Sequence, residues 1–113
     1  MKKILFFLIL TAGLAACNQS PHIEGAWIQP VPLKKGEFHG MIFEKGGKAR
    51  SINMPLFQYE TWQQNGNKIT LTGKTIYGGE SYIFTESYTI KSATPELLIL
   101  INNSGEEMLF ARQ

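Results

Sequence analysis

Turn residues recurring at short intervals constrain this chain more than any other feature. The clearest is Asn65-Gly66-Asn67, which separates FQYETWQ (57–63) from KITLTGKTIY (68–77). Asn and Gly tolerate positive φ, and an Asn-Gly pair between alternating segments is the strongest local mark of a β-hairpin. In the same way Lys45-Gly46-Gly47 separates FHGMIFE (38–44) from KARSIN (48–53), and Asn102-Asn103-Ser104-Gly105 separates ELLILI (96–101) from EEMLFAR (106–112). Gly78-Gly79 leads into SYIFTESYTIK (81–91), while EGAWIQ (24–29) is stopped by Pro30 and Pro32. No segment beyond the leader keeps apolar residues at helical spacing over three turns, so all eight segments read as strands. Short connections make sequential strands antiparallel neighbours, and eight of them can close on themselves and remove both edges. The expected fold is all-β, a small eight-stranded antiparallel up-and-down barrel.

The leader follows a different rule. Lys2 and Lys3 precede an apolar run over 4–10, and small residues lead to Cys17. A charged start, a short apolar stretch and small residues are the layout of a secretory signal. A permanent transmembrane helix would need about 20 apolar residues. Leu14-Ala15-Ala16-Cys17 resembles the lipobox of bacterial lipoproteins. That resemblance implies cleavage before Cys17, a diacylglyceryl group on its thiol and an acylated amino terminus, with fatty acids such as palmitate. Two or three acyl chains anchor a protein far more firmly than one. Cys17 is the only cysteine in the chain, so it has no partner for an internal disulfide.

Three parts follow: a signal peptide over 1–16, the lipidated cysteine and polar tether over 17–23, and a barrel over 24–113. Asn18, not aspartate, follows Cys17, and no acidic residue occurs before Glu24. By the sorting patterns of bacterial lipoproteins this implies an outer-membrane anchor facing the periplasm. The formal charge is +2, but without Lys2 and Lys3 the nine remaining Lys and Arg balance nine acidic residues. A neutral domain carries no basic stripe for nucleic acid, and none is expected as a partner.

GAW (25–27) on the first strand is similar to the Gly-x-Trp signature of lipocalins, and Arg112 ends the last strand as an arginine does there. The order of GMIFEKGGKA, YETWQQNGNKITLTG, YTIKSATPELLIL and LFAR resembles the small lipocalin-like lipoproteins of Bacteroidetes. The resemblance implies a structural role for Gly25, Trp27 and Arg112, with the arginine lying over the indole at the closed end of the barrel. Relative to full-size lipocalins the strands and connections are shorter, and no helix or disulfide is evident. An eight-stranded barrel is either filled by side chains or holds one small ligand. Strands of five to seven residues span about 17 to 24 Å, so any pocket is expected to be small.

Alternation along 81–91 puts Tyr82, Phe84, Glu86, Tyr88 and Ile90 on one face, and their aromatic character points that face inward. Glu86 then lies among rings. It either orients a polar ligand at the barrel mouth, or meets solvent or pairs with a lysine or arginine. Tyr59 and Trp62 fall on opposite faces in a strict register, so either a bulge intervenes or one is exposed. Met41 and Phe43 share a core face. The candidate ligand-binding residues are Trp27, Phe43, Tyr59, Trp62, Phe84, Glu86 and Tyr88. His22 and His39 are isolated in sequence and give no metal-ligand spacing. No aspartate, no Gly-x-Ser-x-Gly and no cysteine beyond the anchor are present, and adjacent Glu106 and Glu107 point to opposite faces. No catalytic residue and no cofactor is assigned. The leading reading is an envelope-anchored module that binds a small hydrophobic or amphipathic molecule inside the barrel. The alternative is a filled barrel whose loops, VPLKKGE (31–37) foremost, contact an envelope protein or inhibit an envelope hydrolase.

Overall fold

The computed structural model describes residues 21–113, so the signal peptide and the lipidation of Cys17 lie outside the described residues. Eight strands follow one another: β1 (Gly25–Pro30), β2 (Phe38–Phe43), β3 (Ala49–Ile52), β4 (Phe57–Asn65), β5 (Lys68–Tyr77), β6 (Glu80–Ala93), β7 (Leu97–Ile101) and β8 (Glu107–Arg112). They form one antiparallel sheet in the order β3-β2-β1-β8-β7-β6-β5-β4. Every neighbour is sequential except β1 against β8, which brings the first and last strands together at Trp27 and Ile28. The up-and-down barrel read from the turns is the fold observed.

Closure is nearly complete. Between β3 and β4 the ladder shrinks to a single bridge, Lys48 with Thr61, and side chains supply what the backbones do not. The Ser51 hydroxyl donates to the Phe57 carbonyl at 2.6 Å and accepts from the Tyr59 amide at 2.9 Å. One hydroxyl thus satisfies two edge groups that would otherwise be left to water.

The core gathers at one end and draws on every strand. Trp27, Phe43, Ile69, Leu71, Leu98 and Leu100 are each at most 1% exposed, and Ile23 closes the end beneath them. Only β3 contributes nothing larger than Ala49. Among the described residues the core is one cluster from Ile23 to Phe110, so the domain beyond the leader holds a core of its own. Trp27 is fixed at both ends of its side chain. Its indole N–H donates to the Ile23 carbonyl at 2.7 Å, and the Arg112 guanidinium lies 4.3 Å from the ring centroid. Arg112 also donates to the Glu24 and Pro95 carbonyls, tying the chain entry and the β6–β7 connection to β8. Gly25, at φ 126°, makes room: a Cβ there would lie 2.2 Å from the Arg112 Nη1 atom.

One feature departs from the sequence expectation, and a second decides an alternative it left open. Strand lengths are not confined to five to seven residues, since β4, β5 and β6 have 9, 10 and 14. The β5–β6 hairpin pairs without a break from Lys68 with Thr89 to Tyr77 with Glu80, whereas β7 covers β6 only from Thr89 to Ala93. The hairpin therefore rises beyond its neighbour on one side of the mouth. Its Tyr82 belongs to the expected inward face but is 49% exposed, because the barrel has ended below it. The second feature is the bulge that the Tyr59 and Trp62 spacing left open. Pairing with β5 shifts between Tyr59 and Thr61, leaving Glu60 as the extra residue, and both aromatic side chains turn inward.

Candidate ligand-binding site

Above the core the barrel is not filled. A cavity of about 210 Å3 opens toward the β1–β2, β3–β4 and β5–β6 connections, opposite the end closed by Ile23 and Trp27. At the ~30 Å3 that a water occupies in the liquid, this equals the volume of about seven waters. Leu71 and Phe110 meet it from below, and Met41, Met54, Phe57 and Met108 form its apolar sides. The three methionines beyond the initiator all line this one space. Thioether side chains are flexible and polarisable, so such a wall adapts to the shape of what it touches.

Polar groups face it from two sides. Gln29 and His39, on paired strands, join Oε1 to Nε2 at 3.1 Å, and the Gln29 amide also donates to the Leu109 carbonyl. Across the cavity stands Glu86 on β6. Its Oε1 accepts the Tyr59 hydroxyl at 3.1 Å and the Tyr88 hydroxyl at 2.7 Å. Burial, reinforced by the carboxylate, pushes both phenols well above the ordinary tyrosine range, so they stay protonated donors. Glu86 is partly exposed, and among the described residues it pairs with no lysine or arginine. The ion pairs among the described residues are Arg50 with Glu44, Lys74 with Glu60, and Lys91 with Glu107.

A backbone feature lets the aromatic wall form. Gly73 on β5 lies between Tyr59 on β4 and Phe84 on β6, paired with both. A Cβ at Gly73 would lie 2.1 Å from the Gln58 carbonyl oxygen, so the strand bends where only glycine fits. With no side chain between them, Tyr59 and Phe84 meet across the strand at 5.8 Å between centroids, and Phe84 meets Phe57 edge-on at 5.9 Å.

The candidate residues thus divide by height. Tyr59, Glu86 and Tyr88 line the cavity, and Phe84 supports its wall through Tyr59 and Phe57. Trp27, Phe43 and Trp62 lie below, in the packed core and away from the cavity wall. Phe43 and Trp62 stack on each other at 5.0 Å, and the Trp62 indole N–H donates to the Glu44 carbonyl at 2.8 Å. They lie low because each lies toward the closed-end terminus of its strand. One or two steps nearer the mouth come Met41, expected only as core, His39, considered only as a metal ligand, and Gln29 and Met108, which were not singled out from the sequence. Inward alternation from Trp27, Phe43 and Phe110 would have found them. Among the described residues no group of three His, Cys, Asp or Glu side chains converges.

Comparison with known proteins agrees with this geometry. A family model described as Lipocalin-like matches residues 19–113, and one described as prokaryotic membrane lipoprotein lipid attachment site matches residues 1–18. The crystal structure of a lipocalin-like protein from Bacteroides thetaiotaomicron is similar at 40% identity and a TM-score of 0.75, over 83% of this chain and 99% of that one. Among curated proteins none matches.

Proposed function

Because the chain belongs to the lipocalin-like family and carries a lipoprotein attachment site, we propose that it is a lipid-anchored envelope protein that holds one small apolar or amphipathic molecule in its cavity. The observation that carries this reading is the space above the core, walled by Met41, Met54, Phe57 and Met108. An interior of this kind excludes water from an apolar ligand while a few polar groups orient it. The reading gives the protein no catalytic role.

The direction of the mouth follows from where the tether leaves. Pro21 is held at the closed end, where its carbonyl accepts from the Gln64 amide at 2.8 Å. Four residues from Cys17 to Ser20 remain, and at ~3.6 Å each they reach about 14 Å. The ten residues of β5 run about 34 Å, or roughly 26 Å along the barrel axis at a tilt of about 40°. The closed end therefore faces the anchoring bilayer and the mouth faces away, which suits uptake from the periplasm by a protein on the outer membrane.

The test is binding of an environment-sensitive naphthalene dye to the leaderless domain. One dye should bind per barrel, and Met108→Trp, which fills the cavity, should weaken it at least tenfold. Equal binding to the variant would place the dye elsewhere and remove the basis of the reading. A second reading, contact with an envelope protein, draws on the exposed Leu33, Leu56, Tyr77 and Ile83 around the mouth. It predicts crosslinks from the mouth to a protein that persist in Met108→Trp.

A further inference from the structure

The cavity holds one carboxylate without a cation. Glu86 makes no ion pair among the described residues, and both phenols that approach it converge on the same oxygen, Oε1. An ionised carboxylate has about four acceptor positions on two oxygens. Oε2 accepts no hydrogen bond among the described residues and, with Glu86 only partly buried, stays open to solvent beside an apolar and aromatic wall. A ligand that displaces this water must supply a partner for the carboxylate, because covering an unpaired charge is costly. The two phenols offset that cost in part and fix the carboxylate in place. They leave its negative charge uncompensated.

We propose that the ligand carries a protonated amine, which pairs with Glu86, on a short apolar body that lies against Met41, Met54 and Met108. The inference rests on the binding reading above and names the class of molecule that this site takes. Two observations favour an amine over other heads. The free oxygen accepts hydrogen bonds but cannot donate them, so an ammonium N–H fits it and a carboxylate or phosphate is repelled. Tyr59 and Phe57 line the same cavity, and an aromatic wall favours a cation over a neutral hydroxyl. Charge and size agree, since hexylamine has about seven non-hydrogen atoms, close to the seven water volumes of the cavity.

The experiment uses the leaderless domain labelled with 13C at its methionine methyl groups, and titrates it with hexylamine, hexanol, hexanoate and hexyltrimethylammonium. Met41, Met54 and Met108 are all on the cavity wall, so each methyl signal reports occupancy directly. Hexylamine should bind at least tenfold tighter than hexanol, with hexanoate weakest, and hexyltrimethylammonium should fall between because it lacks an N–H donor. Glu86→Gln should abolish the preference for hexylamine over hexanol. If hexylamine and hexanol bind equally, or hexanoate binds best, the amine assignment is overturned and the apolar cavity reading stands. If none of the four moves a methionine methyl signal, both fall. The wild-type series decides the matter even if Glu86→Gln does not fold.

Discussion

Replacing Trp27 should show how far the closed end sustains the barrel. The side chain is fully buried, its N–H is bonded to the Ile23 carbonyl, and Arg112 covers its face. Removing it to alanine deletes an aromatic ring from a packed core, which costs about 3–5 kcal/mol. A domain of this size has about 5–15 kcal/mol in total. At about 4–8 °C per kcal/mol the midpoint should fall by roughly 12–40 °C. The milder Trp27→Leu keeps the domain measurable, and combining it with Arg112→Met isolates the cation–π contact. Methionine retains most of the apolar stem while the guanidinium is lost. The loss of the Arg112 bonds to Glu24 and Pro95 occurs in both backgrounds and cancels in the cycle. Urea unfolding followed by circular dichroism should give a coupling of ~1 kcal/mol. Additivity within ~0.3 kcal/mol, or a Trp27→Ala midpoint within a few degrees of wild type, would refute the account of this end.

Three other outcomes are expected. Ser51→Ala removes both hydrogen bonds at the β3–β4 seam, should cost about 1–2 kcal/mol, and should speed amide exchange of Tyr59 more than that of Leu98; uniform exchange would contradict the seam. Tyr59 and Tyr88 bind their protons more tightly when folded than unfolded, because of burial first and Glu86 second. Their contribution is therefore intact below about pH 10 and lost as pH rises above it, so stability should fall more steeply from about pH 10 in wild type than in the Tyr59→Phe/Tyr88→Phe variant, and equal slopes would argue against it. Cys17→Ser should move the protein from the membrane to the soluble envelope fraction, and unchanged fractionation would end the anchor assignment.

Turn chemistry made the eight strands and their order readable, because Asn-Gly and Gly-Gly punctuation depends only on local backbone preferences. The pairing of Trp27 with Arg112 was legible only through the resemblance to lipocalins, and the structure places the guanidinium over the indole. The height of the cavity was not legible. It depends on where β7 stops covering β6 and on the Glu60 bulge, and pairing between strands decides both. Glu86 stood out as a carboxylate among rings, yet the convergence of Tyr59 and Tyr88 on one oxygen needed the bulge to turn Tyr59 inward. Gln29 and Met108 drew no attention, and His39 was weighed only as a metal ligand, because an isolated polar residue or methionine in a strand is ordinary. Their shared height above Trp27, Phe43 and Phe110 gives them meaning.

The most direct test of the central claim is native mass spectrometry of the leaderless domain after exposure to an envelope extract from its own host. The account predicts one discrete added mass that survives gentle desalting, disappears on unfolding and is absent from Met108→Trp. Bare protein alone, from an extract in which the domain remains folded, would contradict it.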